Sequence, residues 1–223
     1  MTIQAITDNT TQQNGTTADE TFAANVAMTQ VKESAATTNY GTSNTAESTK
    51  WASSDHTHTL VKLDTSNIPA SATINSATLY LKVQFIGGVS QTMDARALLR
   101  DWIEAQATWN IYSTGNSWTT GGALSAGNDR SSTVLGNATV PAVGSWIALD
   151  VTSHIQSVVN GSVTDYGFHI ERNGTGNESS TWCTWYTDDS LTPNMPELIV
   201  DYTASSGISI PVVMAHRRNQ GMI

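Results

Sequence analysis

LVKLDTSNIPASATINSATLYLKVQF, residues Leu60–Phe85, contains two stretches of alternating apolar and polar side chains, separated by the turn-like SNIPASATI. In the first stretch Val61 and Leu63 point to one face, and in the second every other residue from Leu79 to Phe85 is apolar. Successive side chains of a strand point to opposite faces of a sheet. The pattern therefore predicts two half-buried strands, with Phe85 on the buried face.

Later segments of the chain have the same strand-like character, and glycine- and asparagine-rich connections separate them, as in a β-sandwich. These segments are MDARALL (93–99), WIALDV (146–151), YGFHIE (166–171), TWCTWYT (181–187) and PELIVDY (196–202). Together they predict an all-β fold, a jelly-roll-like antiparallel β-sandwich with one short helix and extended termini.

The one predicted helix follows Asp150. Thr152 or Ser153 is suited to cap its first turn, and Asn160–Gly161 is a typical C-terminal stop. The apolar residues between these two signals recur at helical spacing and would face the sandwich. They are Ile155, Val158 and Val159.

The composition limits the classes of partner. Apolar residues make up 39% of the 223, charged residues only 13%, and the formal net charge is −9. This charge would repel a phosphate backbone, so nucleic acid is not expected as a partner. No membrane span and no secretory signal are visible in the sequence. The single cysteine, Cys183, excludes an internal disulfide, and we expect it to be a small buried apolar residue.

We divide the chain into a flexible N-terminal arm (1–18), one sandwich domain (19–202), and a linker with a C-terminal docking tail (203–223). The tail combines an apolar run with a basic cluster and contains no acidic residue. A free apolar tail is unfavourable in water unless another surface covers it, so we predict that it docks onto a partner, with a frayed end as the alternative. The docking residues are Ile210, Pro211, Val212, Val213, Met214, His216, Arg217 and Arg218.

Several motifs in a fixed order resemble the DNRLRE-type domains, also called disaggregatase-related repeats, over roughly Asp19 to Tyr202. The motifs are NYG (39–41), the Leu60 stretch quoted above, DWIEAQATWN (101–110), WIALDVTSHIQSVVNG (146–161), DYGFHIE (165–171) and PELIVDY (196–202). The resemblance implies a jelly-roll-like sandwich of the kind attached to secreted polysaccharide-active or surface proteins, with some members acting as carbohydrate-binding modules. It implies no catalytic residues.

DWIEAQATWN places two tryptophans and two carboxylates within a short stretch. The resemblance assigns Trp102, Glu104 and Trp109 to the family's Trp-x-Glu and Thr-Trp-Asn motifs, so we expect structural roles. Trp102 would plug the sandwich, Glu104 would accept backbone hydrogen bonds, and Trp109 would cover a core edge. The alternative is a glycosidase pair formed by Asp101 and Glu104, but no second acidic cluster accompanies them.

Exposed aromatic side chains are the candidates for sugar contact, because an aromatic ring can stack on the apolar face of a pyranose. Tyr112 and Trp118 lie in a long glycine-rich segment, where Trp118 is either a ligand contact or packed under the loop. Trp182 and Tyr186 share one strand face, opposite Trp185. These four residues form the predicted glycan-binding set.

Two kinds of metal site are possible, although no cofactor is required. His56 and His58 alternate along a strand and could hold a divalent ion with Asp55 or a partner-chain ligand as third donor. Asp129, Asp188 and Asp189 lie in acidic loops that could hold calcium, but turn chemistry explains such residues equally well.

From these features we predict a non-catalytic virion structural protein, such as a capsid decoration, head-fibre or tail component, on the surface of a phage-like particle. Its partners would be other virion proteins or cell-surface polysaccharide, and a homotrimer is possible. The alternative is a carbohydrate-binding module of a secreted or cell-surface polysaccharide-degrading system. In the first interpretation the C-terminal tail, which docks onto the particle, is the main functional segment. In the second, the aromatic residues that contact the sugar are.

Overall fold

The computed structural model describes residues 11–14, 17–22, 26–50, 55–88, 91–173, 182–190 and 194–204. Short strands dominate this part of the chain, with one α-helix and two 3-10 turns. The strands are β1 Thr11–Asn14, β2 Thr17–Phe22, β3 Ala27–Lys32, β4 Thr45–Lys50, β5 His56–Lys62, β6 Thr73–Gly87, β7 Thr92–Ala97, β8 Ile111–Ser113, β9 Asn116–Ser117, β10 Gly136–Thr139, β11 Trp146–Asp150, β12 Phe168–Arg172, β13 Trp182–Tyr186 and β14 Glu197–Thr203. The helices are the 3-10 turns Glu33–Ala35 and Gly121–Ala123, and α1 Thr152–Val159.

Two antiparallel sheets share the long strand β6. The first sheet runs β1-β2-β14-β6-β11, and the second runs β6-β13-β4-β5-β12-β7-β10, with β3 paired to β5. The first half of β6 pairs with β14 and β11, whereas its last residues pair with β13. This confirms the predicted all-β antiparallel fold with one short helix.

The main core lies between the two sheets. It contains Leu79 and Leu149 from the first sheet and Phe168 and Trp185 from the second, all of them buried. Cys183 belongs to this core, and burial raises the pKa of its thiol well above the ordinary value. This confirms the expectation of a buried apolar residue at that position.

A second apolar cluster lies on the opposite face of the second sheet. The long connection between β7 and β10 folds over that face and carries the β8–β9 hairpin and the Gly121–Ala123 turn. Both faces of β5 and β12 are therefore buried. The cluster consists of Val31, Leu60, Leu98, Trp102, Ala107, Trp109, Trp118 and Ala123.

A β-bulge in β6 overturns the prediction for Phe85. Thr184 pairs with Phe85 but Trp185 pairs with Val83, so Gln84 is an extra residue in β6. An extra residue reverses the alternation beyond it. Phe85 consequently faces outward and is 48% exposed, and does not continue the buried face of Leu79 and Val83.

The helix forms where the sequence predicted it, but its capping differs from the prediction. The carboxylate of Asp150 accepts the backbone N–H of Thr152 at 2.9 Å, and neither Thr152 nor Ser153 caps the helix. The hydroxyl of Thr152 accepts the N–H of Ala77 in β6 at 2.9 Å, which ties the helix to the sheet. Ile155 is fully buried against the core, as predicted.

The chain ends differ from the predicted division in one respect. Part of the predicted flexible arm forms β1 and the start of β2, and β2 pairs with β1 on one side and with β14 of the first sheet on the other. The predicted docking residues, Ile210 to Met214 and His216 to Arg218, lie outside the described residues. Among the described residues, no helix has the length and apolar character needed to cross a membrane.

Candidate functional site

The tryptophans of DWIEAQATWN are structural, as predicted. Trp102 is buried and its Nε1 donates a hydrogen bond to the carbonyl of Tyr166 at 2.9 Å. Glu104 Oε1 accepts the backbone N–H of Met28 at 2.6 Å, so it fixes the start of β3. Trp109 is also buried, and the Gly121–Ala123 turn packs against its ring.

The two carboxylates of this stretch do not face one another across a cleft. Asp101 is largely exposed and forms an ion pair with Lys62 at 3.2 Å. Glu104 interacts with Asp188: burial, together with the Glu104 carboxyl, raises the pKa of Asp188 to about 7. Burial likewise raises the pKa of Glu104. Glu104 therefore lies beside Asp188 and does not pair with Asp101.

Trp118 is a packing residue in this structure, which corrects its place in the predicted glycan-binding set. Its side chain is 5% exposed, and its Nε1 donates to the carbonyl of Thr108 at 2.9 Å. Tyr112 is half-buried, and its ring centroid lies 5.3 Å from that of Trp118. The guanidinium of Arg100 lies over the Tyr112 ring, 5.9 Å from its centroid. Only Tyr112 of this pair can offer a ligand part of its ring.

The outer face of the second sheet carries a pair of stacked aromatic rings. Phe85 of β6 and Trp182 of β13 have ring centroids 5.7 Å apart and an interplanar angle of 25°. Trp182 lies directly over Gly87, where an added Cβ would come within 2.6 Å of the indole ring. A glycine at this position therefore lets the indole rest against the backbone of β6. The result is a broad aromatic surface, which we call the aromatic face and define by Phe85, Trp182 and Tyr186.

Polar side chains surround the aromatic face. Tyr186 and Thr184 alternate with the buried residues of β13, and the Thr184 hydroxyl donates to Gln84 Oε1 at 2.9 Å. Glu47 of β4 pairs with Thr184 on the neighbouring strand, and burial raises the pKa of its carboxyl. The sequence had identified Trp182 and Tyr186 but placed Phe85 in the core.

Aromatic rings beside hydroxyl, amide and carboxyl groups are suited to a sugar, which has both an apolar face and polar hydroxyl groups. The C–H face of a pyranose is apolar and packs on an aromatic ring, whereas its hydroxyls need hydrogen-bond partners when water leaves. The aromatic face offers both kinds of surface side by side.

Asp129 does not fit the predicted calcium role. It is fully buried, and its two carboxylate oxygens accept the backbone N–H groups of Thr119 and Thr120, each at 2.9 Å. Arg100 Nε lies 3.5 Å from the same carboxylate. Asp129 thus stabilises the long loop through its own hydrogen bonds. Calcium at Asp188 and Asp189, beside Glu104, stays a prediction.

The two histidines of the predicted β5 metal site lie side by side but differ in burial, and a metal ion held by this pair stays a prediction. His56 is only partly buried, and its ring stacks on that of His58 at 6.1 Å between centroids. His58 is 3% exposed and lies under the long loop, where Trp109 stacks on it at 5.7 Å. One nitrogen or oxygen donor from each of His58, His169 and Glu171 lies within 4.8 Å of the others. We call these three residues the histidine cluster.

Sequence reasoning missed His169 and Glu171. His169 and Glu171 are two residues apart in a strand, as are His56 and His58, so their side chains share one face. This spacing was the signal that could have identified them. Burial, together with the nearby Arg130 charge, lowers the pKa of His169 to about 3. Burial is the main reason why the pKa of His58 is well below its ordinary value, and the electrostatic effect of nearby His169 lowers it further. Both imidazoles are therefore neutral at pH 7.

A β-sandwich that presents aromatic rings among hydrogen-bonding side chains has features in common with sugar-binding modules. The comparison with known families agrees: the profile of carbohydrate-binding module family 96 matches residues 18–202, and the chain belongs to that family. A comparison with curated protein sequences gives no match. The family assignment supports the carbohydrate-binding sandwich implied by the sequence resemblance. The virion setting and the trimer stay predictions.

Proposed function

We propose that this domain is a non-catalytic module that binds polysaccharide on the aromatic face, outside the cell or at a cell surface. The observation that carries the proposal is the outward-facing Phe85, 48% exposed and stacked on Trp182. Membership of a carbohydrate-binding family supplies the ligand class. This interpretation favours the alternative reading of the sequence over the virion structural role.

The energetics of the aromatic face fit a binding surface. Complete burial of a phenylalanine side chain contributes roughly 1.5–3 kcal/mol, so covering the exposed half of Phe85 would contribute about 1 kcal/mol. That corresponds to about a fivefold change in Kd. Trp182 and Tyr186 are half-buried on the same face and add area to the same contact. Several such contacts along a polymer would give a useful affinity although each one is weak.

Calorimetric titration of the purified chain with a panel of neutral and acidic polysaccharides tests the proposal. For a polysaccharide that binds, Phe85→Ala is expected to weaken binding about fivefold. Val143→Ala is the matched control, because Val143 is 57% exposed and is not part of the aromatic face. Tyr112→Ala tests the loop as the alternative site.

Three results would contradict the proposal. Binding that depends on Tyr112 but not on Phe85 would move the site to the long loop. Equal losses for Phe85→Ala and Val143→Ala would show that the effect is not local. The absence of binding across the whole panel would reject polysaccharide recognition by this face.

A further inference from the structure

We propose that the histidine cluster, His58, His169 and Glu171, is a binding site for a divalent transition-metal ion of the Zn²⁺ type. The site lies inside the domain between the second sheet and the long loop, away from the aromatic face. Its two strands are neighbours: His169 of β12 pairs with Leu60 of β5, two residues along from His58. An ion would therefore link β5 to β12.

The unsatisfied nitrogen atoms of the cluster point to a ligand. Both ring nitrogens of His58 and Nδ1 of His169 are buried without a hydrogen-bond partner. A buried polar atom with no partner is unfavourable, and nearly all buried polar atoms in folded proteins are paired. Three unpaired nitrogens in one place are unusual, and a metal ion is one group that can bond to lone pairs of both rings.

Gly122 fixes the orientation of one ligand. His169 Nε2 lies 3.1 Å from the carbonyl oxygen of Gly122. A carbonyl only accepts, so Nε2 carries the proton and Nδ1 carries the free lone pair. Metal-binding histidines usually donate their second N–H to a carbonyl or carboxylate in this manner, which sets the tautomer and the ring direction.

Glu171 is also held in place. Its Oε1 accepts Arg96 Nε at 2.6 Å and Arg130 Nη1 at 2.9 Å. A carboxylate has two oxygens and about four lone-pair positions, so these bonds leave Oε2 available to an ion. The positive charges of the two arginines oppose a further cation. For that reason we expect micromolar rather than nanomolar affinity.

The donor set and its dimensions select the ion. Two imidazoles and one carboxylate suit Zn²⁺ and its first-row neighbours, whereas Ca²⁺ and Mg²⁺ prefer oxygen donors throughout. Donor atoms no more than 4.8 Å apart leave a point within about 2.8 Å of all three. Bonds of about 2.0–2.2 Å would then require each donor to move by less than about 1 Å.

Zinc titration of the chelator-treated full chain tests this site without any glycan. We expect one Zn²⁺ per chain, and at least tenfold weaker binding in His58→Asn and in Glu171→Gln. His56→Ala is the matched control, because His56 stacks beside His58 but is outside the cluster. At about a hundred times the Kd, zinc should raise the Tm by roughly 5–10 °C, reversibly with chelator.

A measurement on the wild-type chain covers the case in which the variants do not fold. Long-range proton–nitrogen spectra report which imidazole nitrogens bind the metal, and we expect two histidines to change, with His169 binding through Nδ1. The proposal is overturned if the wild type binds no zinc, if binding survives in His58→Asn, or if the spectra assign the ion to His56 alone.

Discussion

Phe85 of β6 stacks on Trp182 of β13 with ring centroids 5.7 Å apart, and the two rings meet on the outer face because Gln84 interrupts the alternation of β6. The bulge thus adds a ring to a face that already carries Trp182 and Tyr186. Without the extra residue, the same register would turn Phe85 toward the core.

The indole of Trp182 is expected to contribute more to polysaccharide binding than the ring of Phe85, because it is larger and also supports Phe85. Trp182→Ala should weaken binding by more than Phe85→Ala, and Trp182→Phe should lie between the wild type and Trp182→Ala. Calorimetry with the same polysaccharide measures this order. Trp146→Ala is the control: Trp146 lies under Lys82 on the first sheet, with Nζ 5.0 Å from its ring. An equal loss in that variant would contradict a site confined to the aromatic face.

Trp118 should affect stability rather than recognition. Truncation of a buried tryptophan to alanine typically costs about 3–5 kcal/mol, and Trp118→Ala also removes the hydrogen bond to Thr108. Denaturant unfolding should show this loss, whereas the folded fraction should keep its polysaccharide affinity. A Trp118→Ala protein that unfolds like the wild type but binds less polysaccharide would restore Trp118 as a ligand contact.

Gly122 is expected to tolerate no side chain. Its φ of 71° lies in the left-handed region, and an added Cβ would come within 2.4 Å of the Trp109 ring. Gly122→Ala should lower the free energy of unfolding by roughly 1–3 kcal/mol. Gly127→Ala is the control, since Gly127 has a similar φ of 82° but open space around it. Equal losses in the two variants would show that backbone conformation alone, and not the contact with Trp109, is responsible.

The buried histidines should make the metal-free domain sensitive to acid. The folded-state pKa of His169 is about 3, below the ordinary value of 6.5, so protons bind preferentially to the unfolded chain. The neutral form of His169 therefore contributes its full share to the free energy of unfolding above about pH 6.5, and this contribution is lost as the pH falls toward 3. The loss is on the order of a few kcal/mol, because each pKa unit corresponds to about 1.4 kcal/mol.

Chelator-treated samples unfolded by denaturant between pH 7 and pH 4 measure this slope. His169→Gln should flatten it, since glutamine does not titrate but can still donate to Gly122. A slope that is unchanged in this variant would assign the acid sensitivity to other groups. His56→Ala serves as the control, because His56 is only partly buried.

The Glu104 and Asp188 pair should change stability with pH in the opposite direction to His169: it should favour the folded state at low pH. A folded-state pKa of about 7 for Asp188, above its ordinary 3.8, means that the folded chain holds the proton more tightly. This contribution is present at low pH and is lost as the pH rises from about 4 to about 7. Asp188→Asn should therefore be more stable than the wild type at pH 8, with little difference at pH 4, when thermal unfolding is compared at the two values. A wild type that is the more stable protein at pH 8 would contradict the raised pKa.

Local patterns predicted much of the fold. Alternation from Leu79 to Val83 identified the buried face of β6, and the positions of α1 and of Cys183 were also predicted correctly. The structural roles of Trp102, Glu104 and Trp109 followed from the family resemblance. These features depend on residues whose neighbours along the chain already define the environment.

Other features could not be obtained from the sequence, because they depend on contacts between distant segments. The bulge that exposes Phe85 is defined by its pairing with β13, about a hundred residues away. The sequence left open whether Trp118 contacts a ligand or packs under its loop, and the tertiary structure shows that it packs there. Thr152 does not cap the helix, because its hydroxyl bonds to Ala77 of β6.

The sequence by itself determined that this chain is an antiparallel sandwich with aromatic side chains on its strands, since period-two alternation fixes which side chains share a face. Only the tertiary structure decided which aromatic residues reach solvent and which histidines meet. His58 and His169 lie 111 positions apart in the sequence, yet their ring centroids are 4.7 Å apart. Strand pairing and loop coverage bring them together, and neither is encoded in the residues adjacent to them.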